Sequence, residues 1–111
     1  MDRSFFDPGA LNHRLSLERS LEEPDGCGGL TTSWHSVALI WAKLKSIDPL
    51  TTIISQQKQE IGRHRIIIRY RDDVESGWRF LLNDRIFEIV AIHDPDEQHR
   101  YLVCQTEEQG R

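Results

Sequence analysis

The run Arg63-His64-Arg65-Ile66-Ile67-Ile68-Arg69-Tyr70-Arg71 limits what this chain can fold into more than any other stretch. An extended strand sends successive side chains to opposite faces. Arg63, Arg65, Arg69 and Arg71 therefore share one face around Ile67, while His64, Ile66, Ile68 and Tyr70 share the other. One face belongs to a core; the other carries a ladder of guanidinium groups. A second β unit follows, Trp78-Arg79-Phe80-Leu81-Leu82-Asn83-Asp84-Arg85-Ile86-Phe87-Glu88-Ile89. Asn83-Asp84 reads as a two-residue hairpin turn, because Asn and Asp are the non-glycine residues that best tolerate left-handed dihedrals.

The rest of the chain has mostly the same character. Leu11, His13, Leu15, Leu17 and Arg19 alternate with Asn12, Arg14, Ser16 and Glu18, the period-2 pattern of a half-buried strand. Glu22 to Gly29 reads as a turn or loop, with Pro24 fixing one dihedral and its glycines permitting positive φ. From Thr31 to Asp48 the chain is β-prone again. Leu39, Trp41 and Lys43 face one way and Ile40, Ala42 and Leu44 the other, which predicts a central strand buried from both sides, with Trp41 packed in the core. Arg85 to Ile92 and Tyr101 to Thr106 complete about six short strands. Between Pro49 and Gly62 lies a polar stretch that reads as one long loop, of the kind usually functional or disordered. Within it Ile54, Lys58 and Ile61 sit at helical spacing and allow a short helix. The expected fold is all-β: a small antiparallel β-barrel or sandwich with that long loop between its early and middle strands. Residues 1–10 show no period and read as an N-terminal arm. Phe5 and Phe6 on it pack either on this domain's core or on a neighbouring subunit.

With 111 residues the chain makes one domain, residues 1–111. Its formal net charge of −4 argues against a protein that grips nucleic acid by its phosphates over a broad surface. The two cysteines, Cys27 and Cys104, have neither disulfide-scaffold nor zinc-site spacing, so both are expected as free thiols. No apolar run near 18 residues and no signal-peptide pattern occurs, so the expectation is cytoplasmic synthesis and no membrane partner.

The arginine ladder is the strongest functional candidate. Guanidinium forks suit phosphates or an acidic partner, and an exposed ladder is also an ordinary solvated face with cross-strand ion pairs. All three readings stand on the sequence. The loop His93-Asp94-Pro95-Asp96-Glu97-Gln98-His99 holds oxygen and imidazole groups in a spacing that fits neither a calcium loop nor a zinc motif, and reads as a solvated turn. His13, His35 and His64 are scattered, with no nucleophile, base and orienting acid in recognisable order. The expectation is no catalytic residue, no metal and no cofactor.

Taken in order, Gly26-Cys27-Gly28-Gly29, Trp34, Val37, Ile40-Trp41-Ala42-Lys43-Leu44, the arginine run, the Trp78–Ile89 hairpin, Val90-Ala91-Ile92 and Tyr101-Leu102-Val103-Cys104 give the chain its family likeness. It resembles the head–tail joining proteins, also called head-closure or stopper proteins, of tailed phages and of phage-derived particles such as gene transfer agents. The resemblance runs roughly from Gly9 to Thr106. It implies a non-catalytic virion protein, made in the bacterial host cytoplasm, that forms a ring of six or twelve copies. That ring would lie between the adaptor or portal-side ring and the tail-terminator-side ring, closing the channel that holds packaged double-stranded DNA and docking the tail. It also implies that the stretch 49–62 faces the channel, with Thr51, Thr52, Ser55, Gln56, Gln57, Lys58 and Gln59 nearest the DNA. Such a lining is physically apt, because a channel that must release DNA cannot hold many phosphates. Phe5, Phe6, Arg63, Arg65, Arg69 and Arg71 are the expected contacts to neighbouring subunits or rings. The rival reading is a free-standing small β-barrel module that binds nucleic acid or a protein partner through the arginine face and an exposed tryptophan.

Overall fold

The structure, a computed structural model, describes residues 11–54 and 57–109, and of these the side chains of 49–54, 57–60 and 109 are left undescribed. Six antiparallel strands, β1 (His13–Pro24), β2 (Leu30–Ile54), β3 (Gln57–Arg69), β4 (Arg79–Leu82), β5 (Arg85–His93) and β6 (Tyr101–Gln109), close into a barrel in the order β1-β2-β3-β6-β5-β4. The described residues contain no helix. Of the two architectures open to the sequence, the closed barrel is the one formed.

Alternation of side chains decides what fills it. Leu15 and Leu17 from β1, Ala42 from β2, Ile66 and Ile68 from β3, Phe80 from β4, Phe87 and Ile89 from β5, and Leu102 and Cys104 from β6 form one buried cluster. Phe80 and Phe87 are register partners at its centre, both fully buried. Burial pushes the Cys104 thiol up to about 12. Ile67, of opposite parity to its neighbours, belongs to a second cluster outside the barrel wall with Leu11, Tyr101 and Val103. Leu11, in the segment leading into β1, covers Ile67, which is 1% exposed although it stands on the arginine face.

Three bulges shape the wall. Val37 is the extra residue opposite Leu17/Glu18, Val90 the extra residue in the β5–β6 ladder, and Asp48-Pro49 interrupts the β2–β3 ladder between Ile47↔Arg63 and Leu50↔Ile61. Proline lacks the N–H a regular ladder needs, so a bulge is where a strand tolerates it. Arg63 Nε donates to the Asp48 carbonyl, 2.8 Å away, satisfying an acceptor that the bulge takes out of the ladder.

Two expectations are corrected here. The stretch 49–62 is not a long loop with a short helix: β2 and β3 stay paired through Thr51↔Glu60, Thr52↔Gln59, Ile53↔Lys58 and Ile54↔Gln57. Nor is β2 buried from both sides. Ile40, Ala42 and Leu44 face the core, but Leu39 is 58% and Trp41 51% exposed. The Asn83-Asp84 turn forms as expected, joining β4 to β5 with Asn83 at φ 56°.

Core and surface separate in a stability measurement. Phe80→Ala should cost about 3–5 kcal/mol in denaturant unfolding, the usual cost of deleting a buried aromatic. Leu39→Ala, on the outer face of β2, should change it by less than about 0.5 kcal/mol.

Candidate functional site

Cross-strand register brings the ladder together with cations from other strands. Lys43 stands opposite Ile67, and Lys45 opposite Arg65, so both lysines share the outer face of β3's arginines. On the other side of β2, Arg14 pairs with Trp41 and lays its guanidinium over the indole, 5.1 Å from the ring centroid. Trp41 and Arg69 line the same shallow groove with Leu11 and Asn12. Across β6 the Lys43–Ile67 and Lys45–Arg65 rows meet Val103 and Gln105, and the neighbouring Arg63 row meets Glu107, a carboxylate on the same outer face. Sequence reasoning missed Arg14, Lys43 and Lys45. The signal was present, since Lys43 has the parity of Trp41, but the register that aligns β2 with β3 is not written in either strand alone.

The ladder itself is not uniform. The side chains of Arg65 and Arg69 are exposed and make no hydrogen bond or ion pair among the described residues. Arg63 is held by the Asp48 carbonyl. Arg71 lies beyond the end of β3 and grips Asp73 through two N–H donors at 2.9 and 3.0 Å, which raises its own pKa and lowers that of Asp73. Phe5, Phe6, Ser55 and Gln56 lie outside the described residues. Thr51, Thr52, Gln57, Lys58 and Gln59 are placed by their backbone in the outer β2–β3 hairpin.

At the barrel end from which that hairpin leaves, a polar group replaces the apolar core. Arg85 donates to both Glu108 oxygens at 2.8 and 2.9 Å and covers the Phe87 ring at 4.8 Å. His64 meets Phe87 edge-on, with centroids 5.0 Å apart, and among the described residues its buried Nδ1 has no hydrogen-bond partner. Burial, and then the Arg85 cation, lower the His64 pKa, opposed in part by Glu108. The Thr106 hydroxyl donates to the His64 carbonyl at 3.0 Å.

The loop after β5 uses Asp94 and Asp96 internally. Asp94 accepts from the His99 backbone N–H at 2.8 Å, Asp96 pairs with Arg100, and the His99 ring stacks on Tyr70. These bonds brace a turn. Cys27 and Cys104 are both free thiols, the first exposed and the second buried.

The His64 environment carries a pH signature. An unfolded histidine takes up a proton near pH 6.5, while the folded chain, with its pKa lowered, takes one up only at lower pH. Folding stability should therefore fall as pH drops below about 6.5 and stop falling from this cause below the folded pKa. His64→Phe should flatten that limb in pH-dependent denaturant titrations. The further loss at lower pH, as Asp73 and Asp96 take up protons through their lowered pKa values, should remain.

Comparison with known proteins gives a family match and structural likenesses. The family model described as phage head completion protein matches residues 6–109. A chain in the virion of a native gene transfer agent particle is 25% identical, with a TM-score of 0.78, covering 90% of this chain and 96% of that one. A Shigella flexneri 2a protein known from its solution structure shares the fold at 20% identity and a TM-score of 0.63, covering 92% of this chain and 96% of that one. No curated protein sequence matches the chain.

Proposed function

The chain belongs to the phage head completion protein family, and from that premise we propose that it forms a ring of identical copies in the head–tail connector, closes the DNA exit channel and docks the tail. The coarser role, a structural protein of a phage or phage-like particle, comes with the family and with the gene transfer agent likeness. The finer role rests on one observation. The β2–β3 hairpin continues past the barrel as paired strands, to Ile54↔Gln57.

A hairpin suits a channel plug better than a structureless loop would. Each strand satisfies the other's backbone groups, so the arm keeps a defined direction at a low cost in chain entropy. Its sequence brings Thr51, Thr52, Ser55, Gln56, Gln57 and Gln59, with Lys58 offset by Glu60. Uncharged polar groups meet DNA without accumulating the phosphate contacts that would hold it at physiological salt. In this reading the hairpins of a ring of six or twelve copies converge on the axis above packaged double-stranded DNA. One face of the ring meets the portal-side adaptor and the other the tail terminator. The chain is made in the host cytoplasm and ends in the particle, and its work there is structural, with no reaction to catalyse.

Shortening the arm tests this. Replacing Ile53–Lys58 with Asn-Gly closes a two-residue turn on the Thr52↔Gln59 pair and leaves the barrel ladders untouched. Heads carrying this chain should contain the ring yet lose packaged DNA before tails attach, as read by nuclease-sensitive DNA in tailless heads. Full retention of DNA in such heads would remove the hairpin as the plug.

A further inference from the structure

Among the described residues five cations without an ion pair share one outer face, and carboxylates stand on the β1–β2 hairpin tip and, elsewhere on the wall, in the Glu88–Glu107 pair of β5 and β6. The face comprises Arg14, Trp41, Lys43, Lys45, Arg65 and Arg69, with Leu39 exposed beside it. The tip is the β1–β2 hairpin end, where Glu22 and Glu23 are exposed and flanked by Leu21 and Leu30, 40% and 66% exposed. Its turn is built. Asp25 Oδ1 accepts from the N–H groups of Cys27 and Gly29 at 2.7 and 3.0 Å, and Gly26 and Gly28 take φ of 83°. Those backbone bonds lower the Asp25 pKa, so the tip keeps this charge as well. A chain with net charge −4 thus presents a basic, partly apolar face and an acidic, partly apolar tip.

The two cannot meet within one molecule. Leu30 and Trp41 lie on the same strand, eleven residues and therefore about 36 Å apart at a strand's rise. We propose that the β1–β2 tip of one copy docks on the Trp41 face of the next through the side of the hairpin that Leu21 and Glu23 share, with Glu23 against Arg65, Arg69 and Lys45, and Leu21 against Leu39 and Trp41. This contact rests on the ring reading above and supplies its missing lateral surface. It joins two different patches, so it is head-to-tail and closes into a ring when the rotation per copy allows. Opposite charges steer and orient the encounter, and the apolar pairs bury surface once it is made. Packaged DNA is the less apt occupant, because a face that gripped phosphates would resist its release.

Cys27 sits on the tip and provides the probe, while Cys104 is buried and its thiol stays protonated. Heads assembled with the full chain carrying Lys45→Cys should, on mild oxidation, give covalent dimers and higher multimers of this chain, abolished by adding Cys27→Ser. Arg69→Cys serves in the same role if Lys45→Cys fails to fold by circular dichroism. In parallel, Arg65→Glu with Arg69→Glu should reduce joined particles at least tenfold, and adding Glu23→Arg should restore them. Ring density at the head vertex without Cys27-dependent cross-links, or charge reversal without restoration, would overturn the docking contact and leave the ring reading intact. Absence of ring density with the unaltered chain would remove the ring reading, and the contact with it. Cross-links from the new cysteine to another particle protein would assign the face to a neighbouring ring and overturn the contact.

Discussion

The barrel exists only because β1 and β4 meet, and they meet over three residue pairs: Ser16↔Leu81, Leu17↔Phe80 and Glu18↔Arg79. So short a ladder leaves side chains to hold the seam. Leu17 and Phe80 seal it from within. On the outside Arg79 donates to Glu18 at 2.8 Å and lies 4.0 Å from the Trp34 ring centroid. Both ion-pair partners are largely shielded from water, so this pair is stronger than an open surface bridge such as Arg71–Asp73. Without the seam the structure becomes an open sheet with two exposed edges, and the outer face loses the curvature that sets its cations beside Trp41.

Where β1 and β3 run past their barrel partners, β2 follows each of them. It pairs with β1 from Leu30 to Ala42 and with β3 from Ala42 to Ile54, so Ala42, fully buried and small, is where the two ladders hand over. A larger side chain there would press on Ile68 across the register. The bulges at Val37 and Asp48-Pro49 fall on either side of this point, allowing one strand to follow the barrel wall and leave it at both ends.

Much of this was legible in the residues. The parity of Arg63–Arg71 correctly separated Ile66 and Ile68 from Ile67, and Asn83-Asp84 marked its own turn. The outer β2–β3 hairpin was not legible. Backbone pairing asks only for a facing strand, and Thr51-Thr52-Ile53-Ile54 and Gln57-Lys58-Gln59-Glu60 carry no alternation to announce it. Trp41 failed for the opposite reason. Apolar neighbours usually mean burial, whereas here the ring is covered on one side by Arg14 and remains half in solvent. The basic face needed register between strands, which depends on the bulges and cannot be counted from either strand by itself.

The continuity of β2 has a mechanical consequence. The two hairpin ends lie at opposite ends of one strand whose ladder bonds run perpendicular to its axis. A pull on the outer β2–β3 hairpin along that axis loads those bonds in shear, many at once, instead of peeling them one after another. Pressure on one end of the molecule is thereby carried through the barrel wall to the other as a nearly rigid displacement. The softest points along that line are the two bulges, where the ladder is interrupted and the strand can bend before any paired segment parts.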